Sequence, residues 1–388
     1  MLKKILFISH ESSRTGAPFV LLYFLQWLKQ HHSEIQLTVL TLNGGGLTNE
    51  FKMVADEYYE LSKITTPQRN LVQRFKTKLY KKLGVHYARP DAKKVFVKNL
   101  SQQDFDLVYC NTVVSIPLAY QIKLRNKSAK LLVHVHELES EIKRTIGNLN
   151  QFSDNIDILI AASGMVRDNL LHNYSIPANK IEVIYEFTKK LNPKIKSKKK
   201  EEVFEVGGSG KFGHRKGTDL FIQTARYLND HYPQLKIEFT WVGLVPENDK
   251  ASLELELNKI DLNNRINFVG EAKNPAFYFE KFDVFLMTSR EDPFPLVCIE
   301  AGMLGIPIIC FDKATGVSEI IKDKGGFTVP YLNIEVMAEK IIFYMENPQI
   351  YMMHSKFNQA EFSKFTAKTR GPIIYNLLAK SIKYNRQD

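Results

Sequence analysis

Asp283-Val-Phe-Leu-Met-Thr288-Ser-Arg290-Glu291-Asp292-Pro293-Phe-Pro295-Leu296-Val297-Cys298-Ile-Glu300-Ala-Gly302 decides the reading of this chain. The apolar run from Asp283 to Thr288 reads as a buried strand, and Leu296 to Leu304 as a short helix closed by Gly305-Ile306-Pro307. A second apolar run, Pro307 to Phe311, reads as the next strand, which makes one β-loop-α-β unit. In open α/β sheets such a loop lies at the carboxyl end of a strand, where ligands bind. The helix amides just after Pro295 are unpaired donors at the positive dipole end, a natural seat for phosphate. Asp292 and Glu300 flank that seat. Carboxylates accept hydrogen bonds and repel phosphate, so two acids there point to sugar hydroxyls. The stretch by itself reads as a nucleotide-sugar site.

Working outward, the 388-residue length exceeds one ordinary core, so two domains are expected. Hydrophobic content of 44% and charged content of 24% fit a soluble globular class. The net charge of +11 favours an anionic partner: nucleic acid, an acidic membrane surface or phosphorylated substrates. Cys110, Cys298 and Cys310 lie in or near apolar runs with no CxxC spacing, which predicts reduced, buried thiols and a cytoplasmic setting. Met1 to His10 has a positive start but only a short apolar run, so it reads as a first strand rather than a signal peptide. No window is apolar for long enough to span a bilayer, and any membrane contact is expected to be peripheral.

Upstream, strand Ile5 to Ser9 leads through His10–Pro18 into a helix, Phe19 to Gln30. Gly16 in that loop lets the backbone approach a ligand, or marks a plain βα turn. Residues 63–98 are strongly basic, with Leu71, Phe75, Leu79 and Leu83 spaced as the stripe of an amphipathic helix. That helix lies either on anionic lipid or on the core with its charges in water. Asp104-Phe-Asp106 has the form of a metal-nucleotide motif, yet it stands where acids mark a solvated strand start. His134 and His136 fall at i and i+2 of the strand Leu131 to His136, on one face. Spacing supplies no third zinc ligand, and His136, at the carboxyl end, is the better candidate for ligand contact. A basic run from Lys189 to Lys200 reads as a solvated linker.

The second half restarts the α/β alternation. Strand Val203 to Val206 enters Gly207-Gly-Ser-Gly210-Lys211-Phe-Gly213-His-Arg215-Lys216-Gly217. Gly208, Gly210 and Gly213 match GxGxxG, a weak signal alone. The cations there suit a diphosphate leaving group, which must be neutralised as its bond to sugar breaks. A dinucleotide loop and a plain basic turn are the alternatives. Strand Asn267 to Gly270 comes before the opening stretch. Glu361 to Tyr384 reads as a helix kinked at Gly371-Pro372.

Taken together, these residues resemble the GT-B glycosyltransferases of glycosyltransferase family four, most strongly from about 205 to 330. The most specific element is acid-x7-acid, here Asp292 to Glu300, followed by Ala-Gly-Met-Leu-Gly-Ile-Pro. The family usually has Glu first; here it is Asp292, with Glu291 beside it. Lys211 and Lys216 match the family's Arg and Lys five residues apart, with Lys replacing Arg, which keeps charge and loses the bidentate contact. Tyr185-Glu-Phe187 departs from the Asn-Gly of many relatives.

The resemblance implies an α/β fold of GT-B type, two Rossmann-like domains facing across a cleft. The acceptor domain would be 1–188, the linker 189–202, the donor domain 203–364, and helix 365–388 would return to the first domain. It assigns His136, Lys211, Lys216 and Asp292 to the chemistry. Gly16, Gly210, Arg215, Gly270, Glu291, Pro295, Leu296, Val297 and Glu300 are assigned to the donor, Glu300 as ribose holder and the 296 and 297 amides toward the diphosphate. It implies retaining transfer of a hexose from a nucleotide diphosphate-sugar, UDP-sugar before GDP-sugar, to a glycan or lipid-linked acceptor in cell-surface polysaccharide synthesis. No metal or cofactor is expected. The alternatives are a nucleotide-sugar epimerase of the same architecture and an anionic-surface or nucleic-acid binding protein. Against nucleic acid, the basic run has few aromatics suited to stacking and no recognised motif appears.

Overall fold

The computed structural model describes residues 3–65, 91–191 and 203–383. The basic stripe Leu71–Leu83 and most of the run from Lys189 to Lys200 lie outside these residues. Two parallel sheets alternate with helices. The first has strands β1 (Lys4–Ser9), β2 (Gln36–Thr41), β3 (Glu57–Glu60), β4 (Leu107–Asn111), β5 (Lys130–Val135), β6 (Ile158–Ala161) and β7 (Ile181–Val183), in the order 3-2-1-4-5-6-7. The second has β8 (Phe204–Ser209), β9 (Ile237–Val242), β10 (Ile266–Gly270), β11 (Val284–Met287), β12 (Ile308–Phe311) and β13 (Gly326–Val329), in the order 10-9-8-11-12-13. That is the doubly wound order, with its switch point between β8 and β11. Ligands in such sheets bind outside the carboxyl ends at that point.

By contacts the chain divides into two units. One comprises Met1–Val135, Ile142–Ile160 and Tyr375–Asp388; the other comprises His136–Glu141 and Ala161–Ile374. The end of the chain thus belongs with the first unit, where Tyr375 stacks on His32 with ring centroids 3.6 Å apart. The final helix runs Ala367–Lys383 with Pro372 inside it, starting later than its apolar pattern suggests.

Strands form where the sequence is apolar and β-branched, and their amino ends are fixed by aspartates. Asp56 accepts from the Leu37 amide at 2.8 Å, Asp106 from the Lys3 and Lys4 amides at 2.7 and 2.9 Å. Asp157 accepts from the Leu131 amide at 2.8 Å and Asp283 from the Glu205 amide at 2.8 Å. Each acid stands just before its own strand and ties it to the neighbour. Asp106 is therefore a strand clamp, which accounts for the Asp104-Phe-Asp106 pattern. All three cysteines are buried and free, and burial pushes the Cys310 thiol up to about 12. A 3-10 turn, Val113–Ser115, precedes the helix Ile116–Arg125, which has no side-chain cap; the Ser115 hydroxyl donates to Asn111 O. Strand β5 stops at Val135, one residue before His136.

Candidate active site

The second sheet sets two loops side by side at its switch point. After β8, Gly210–Gly217 carries the cations and contains a 3-10 turn, His214–Lys216. After β11, residues 290–295 lead into the helix Leu296–Met303. Gly217 makes the approach possible. Its φ is +65°, and a Cβ there would sit 1.9 Å from Thr288 O, so neither the backbone conformation nor the space admits a side chain.

Polar contacts then stitch the loops together. The Thr288 hydroxyl donates to Lys216 O at 3.1 Å, and the Arg290 amide to Arg215 O at 2.9 Å. Arg290 grips Asp219 with both terminal nitrogens, at 2.8 and 2.7 Å, and also donates to His214 O at 2.7 Å. The bidentate contact holds the Asp219 carboxyl below its ordinary value and raises the Arg290 guanidinium. Neither Arg290 nor Asp219 was singled out in the sequence, because residues so far apart carry no spacing signal.

Within this frame Lys216 and Asp292 form an ion pair, both side chains largely shielded from water. Arg215 donates to Glu291 O at 2.7 Å and lies 3.9 Å from the Asp292 carboxylate. Lys216, Arg215, Glu291 and Asp292 are therefore brought together. A Glu291 carboxylate oxygen is buried with no hydrogen-bond partner among the described residues. Lys211 is exposed and forms no ion pair among the described residues. Gly210, with φ +151°, lies against the Lys216 stem, and its carbonyl accepts from Trp241 Nε1 at 2.8 Å.

Pro295 is extended and starts the helix without a side-chain cap. The Cys298 amide turns back to Pro295 O at 3.0 Å, which leaves the Leu296 and Val297 amides as donors at the positive end. On the same helix Glu300 is part-buried. Burial raises its carboxyl to about 7, opposed only by the Thr188 hydroxyl, which donates to Oε1 at 3.3 Å. Gly270 ends β10, where its carbonyl accepts from Gly243 N at 2.9 Å. With Leu244, Phe268 and Glu271 it lines a cavity of about 540 Å³.

Two assigned residues remain, His136 and Gly16. His136 hydrogen-bonds through Nδ1 to the buried Glu186 carboxylate. Burial opposes charge on the ring, but Glu186 and Glu137 overcome it and raise its pKa. Gly16 belongs to the first unit, where it opens the helix Gly16–His31, and Asn111 Nδ2 holds the adjoining Ala17 O at 3.1 Å. Glu319 carries no motif or spacing that singles it out in the sequence. It accepts from the Gly164 and Met165 amides at 3.0 and 2.8 Å and from the Tyr185 hydroxyl at 2.8 Å, tying the helix Gly164–Tyr174 to the turn before Glu319.

The model described as Glycosyltransferase Family 4 matches residues 15–188, and that described as Glycosyl transferases group 1 matches residues 189–361. An uncharacterised glycosyltransferase of Haemophilus influenzae is 28% identical over 141 residues, 36% of this chain and 39% of that protein. The amylovoran biosynthesis glycosyltransferase AmsD of Erwinia amylovora is 36% identical over 93 residues, 24% of this chain and 26% of that protein. These two matches span well under half of either relative's length. The fold is shared over the whole chain with HepE of Anabaena, solved in complex with UDP-glucose: TM-score 0.75, 19% identity, 97% of this chain and 99% of that one. The chain belongs to glycosyltransferase family four, the glycosyl transferases group 1, with the GT-B fold.

Proposed function

We propose that this protein is a retaining hexosyltransferase that uses a UDP-sugar, with a GDP-sugar as the next choice, and transfers to a glycan or lipid-linked acceptor in cell-surface polysaccharide synthesis. The observation that carries the reading is the Lys216–Asp292 pair, which joins a cationic loop to an acid at the carboxyl ends of β8 and β11. Lys211, Arg215, Lys216 and the Leu296 and Val297 amides take the diphosphate and its growing charge. Asp292 and Glu291 accept from hydroxyls of the donor sugar, and Glu300 accepts from the ribose. His136, held by Glu186, faces the transferred sugar, while Gly210, Gly270 and Gly16 give the donor backbone room. With lysines and a helix dipole set for the phosphates, the transfer proceeds without a metal. UDP is favoured because HepE was solved with UDP and with UDP-glucose, and AmsD is named for polysaccharide synthesis.

A thermal-shift panel of UDP-, GDP-, ADP- and TDP-sugars tests the donor, since a ligand of the folded state raises its melting temperature. UDP-sugars should give the largest shift; no shift with any of them overturns the reading. Incubation with donor alone separates transfer from epimerisation, because an epimerase gives an isomeric sugar nucleotide without an acceptor. The anomeric proton of the product tests retention, and a chelator tests independence from metal. Among the described residues no helix is long and apolar enough to cross a membrane. Contact with anionic lipid is assigned to residues 63–98, and co-sedimentation with phosphatidylglycerol but not phosphatidylcholine vesicles tests it.

A further inference from the structure

We propose that Thr188 is the positioning residue for Glu300: its hydroxyl aims and steadies the carboxylate that receives the ribose, and so sets how tightly a nucleoside diphosphate is held. The proposal deepens the reading above and rests on its assignment of Glu300.

The geometry runs from backbone to carboxylate. Thr188 is buried, and its main chain is fixed before its side chain is used. The Thr188 amide donates to Phe365 O at 3.1 Å, and Thr188 forms an isolated parallel bridge with Thr366. Thr366 is locked in turn: its amide donates to the Thr369 hydroxyl at 3.2 Å, and its carbonyl accepts from the Thr369 and Arg370 amides at 3.1 and 2.9 Å. A hydroxyl on so constrained a residue has little freedom in where it donates. It donates to Glu300 Oε1.

Glu300 needs that donor more than a surface acid would. No cation pairs with it among the described residues, and the helix carrying it is fixed by Phe362, whose ring lies where a Cβ on Gly302 would fall. A carboxylate offers about four lone-pair positions, of which Thr188 takes one. The others remain for two vicinal ribose hydroxyls, donors of the kind a buried carboxylate requires. A hydroxyl that donates to the charged form favours ionisation, in the direction opposite to burial. Thr188 therefore works on aim and on charge together.

Calorimetric titration of the purified full chain with UDP tests this. Thr188→Val keeps the shape and removes the donor, and should weaken UDP about tenfold, the scale of one hydrogen bond to a charged group. Thr188→Ser keeps the hydroxyl and should bind as the wild type does. UDP affinity of the wild type should fall as pH drops below about 7, and Thr188→Val should move that fall to higher pH. In a Glu300→Gln background Thr188→Val should add little. If Glu300→Ala binds UDP as well as the wild type, the assignment of Glu300 fails and the proposal goes with it. If Glu300→Ala weakens UDP while Thr188→Val does not, or Thr188→Ser is as weak as Thr188→Val, the proposal alone is overturned. Should Thr188→Val not fold, Thr188→Ala takes its place in the same titrations.

Discussion

The two ends of the second sheet use acids in opposite ways. At the amino ends Asp283 stands before β11 and accepts the Glu205 amide, as Asp56, Asp106 and Asp157 do for their neighbours in the first sheet. Each of these carboxylates meets a main-chain donor of the neighbouring strand, and Asp56 and Asp157 also pair with lysines. At the carboxyl ends Asp292 meets the Lys216 side chain, and Glu300 meets one hydroxyl inside an apolar surround. The first kind of acid ties one strand to the next; the second retains lone pairs for something that arrives. Scaffold and site are therefore told apart by whether a carboxylate holds the amide of a neighbouring strand rather than by how deeply it is buried.

That contrast breaks if site acids prove to be scaffold. Lys216→Ala should lower transfer by roughly 100-fold or more, the scale of losing one transition-state donor, and Glu300→Ala by a similar factor through the lost acceptor for the ribose. Sugar release from the preferred donor measures it, and near-normal rates in both would dissolve the distinction. Asp283→Ala should do the reverse. It leaves a buried amide unpaired and should cost about 1–3 kcal/mol in denaturant unfolding, with UDP affinity of the folded protein unchanged.

Glu300 sharpens the contrast through pH. Its carboxyl lies at about 7 in the folded chain, above the ordinary value of 4.5. The folded state then holds a proton that the unfolded state releases between those values. Glu300 thus costs stability as pH rises from 4.5 to 7, and the full cost remains above 7. Glu300→Gln should accordingly be more stable than the wild type at pH 8, by on the order of 3 kcal/mol, and lose the advantage towards pH 4.5. Unfolding curves across that range check it, and equal stability at all pH values would contradict the buried, uncompensated carboxylate. The smallest effect belongs to Arg290→Lys, which keeps charge but loses the fork on Asp219. UDP affinity should fall by roughly fivefold, about the value of one charged hydrogen bond at a part-exposed pair.

Much of this was legible in the letters. The unit from β11 through the helix Leu296–Met303 to β12 follows from apolar runs punctuated by Pro295 and Gly305-Ile306-Pro307, and its observed bounds differ by a residue or two. Local grammar is strong there because the turn residues have few conformations to choose from. The partners of the acids were not legible. Lys216 with Asp292, Arg290 with Asp219, Thr188 with Glu300 and Glu319 with Gly164 are long-range contacts, decided by strand order rather than by spacing. The helix pattern before Ala367 also misled, since Glu361 and Phe362 end the preceding helix Pro348–Phe362 and a turn intervenes.

The bridge between Thr188 and Thr366 has a consequence for protein engineering. It places the entry and exit of the stretch that builds the whole second sheet one hydrogen bond apart. A stretch whose ends meet can be excised, grafted or circularly permuted with a linker of few residues. Shuffling donor preferences between relatives therefore calls for cuts at these two threonines, with the Glu319 contacts to Gly164, Met165 and Tyr185 preserved across the join.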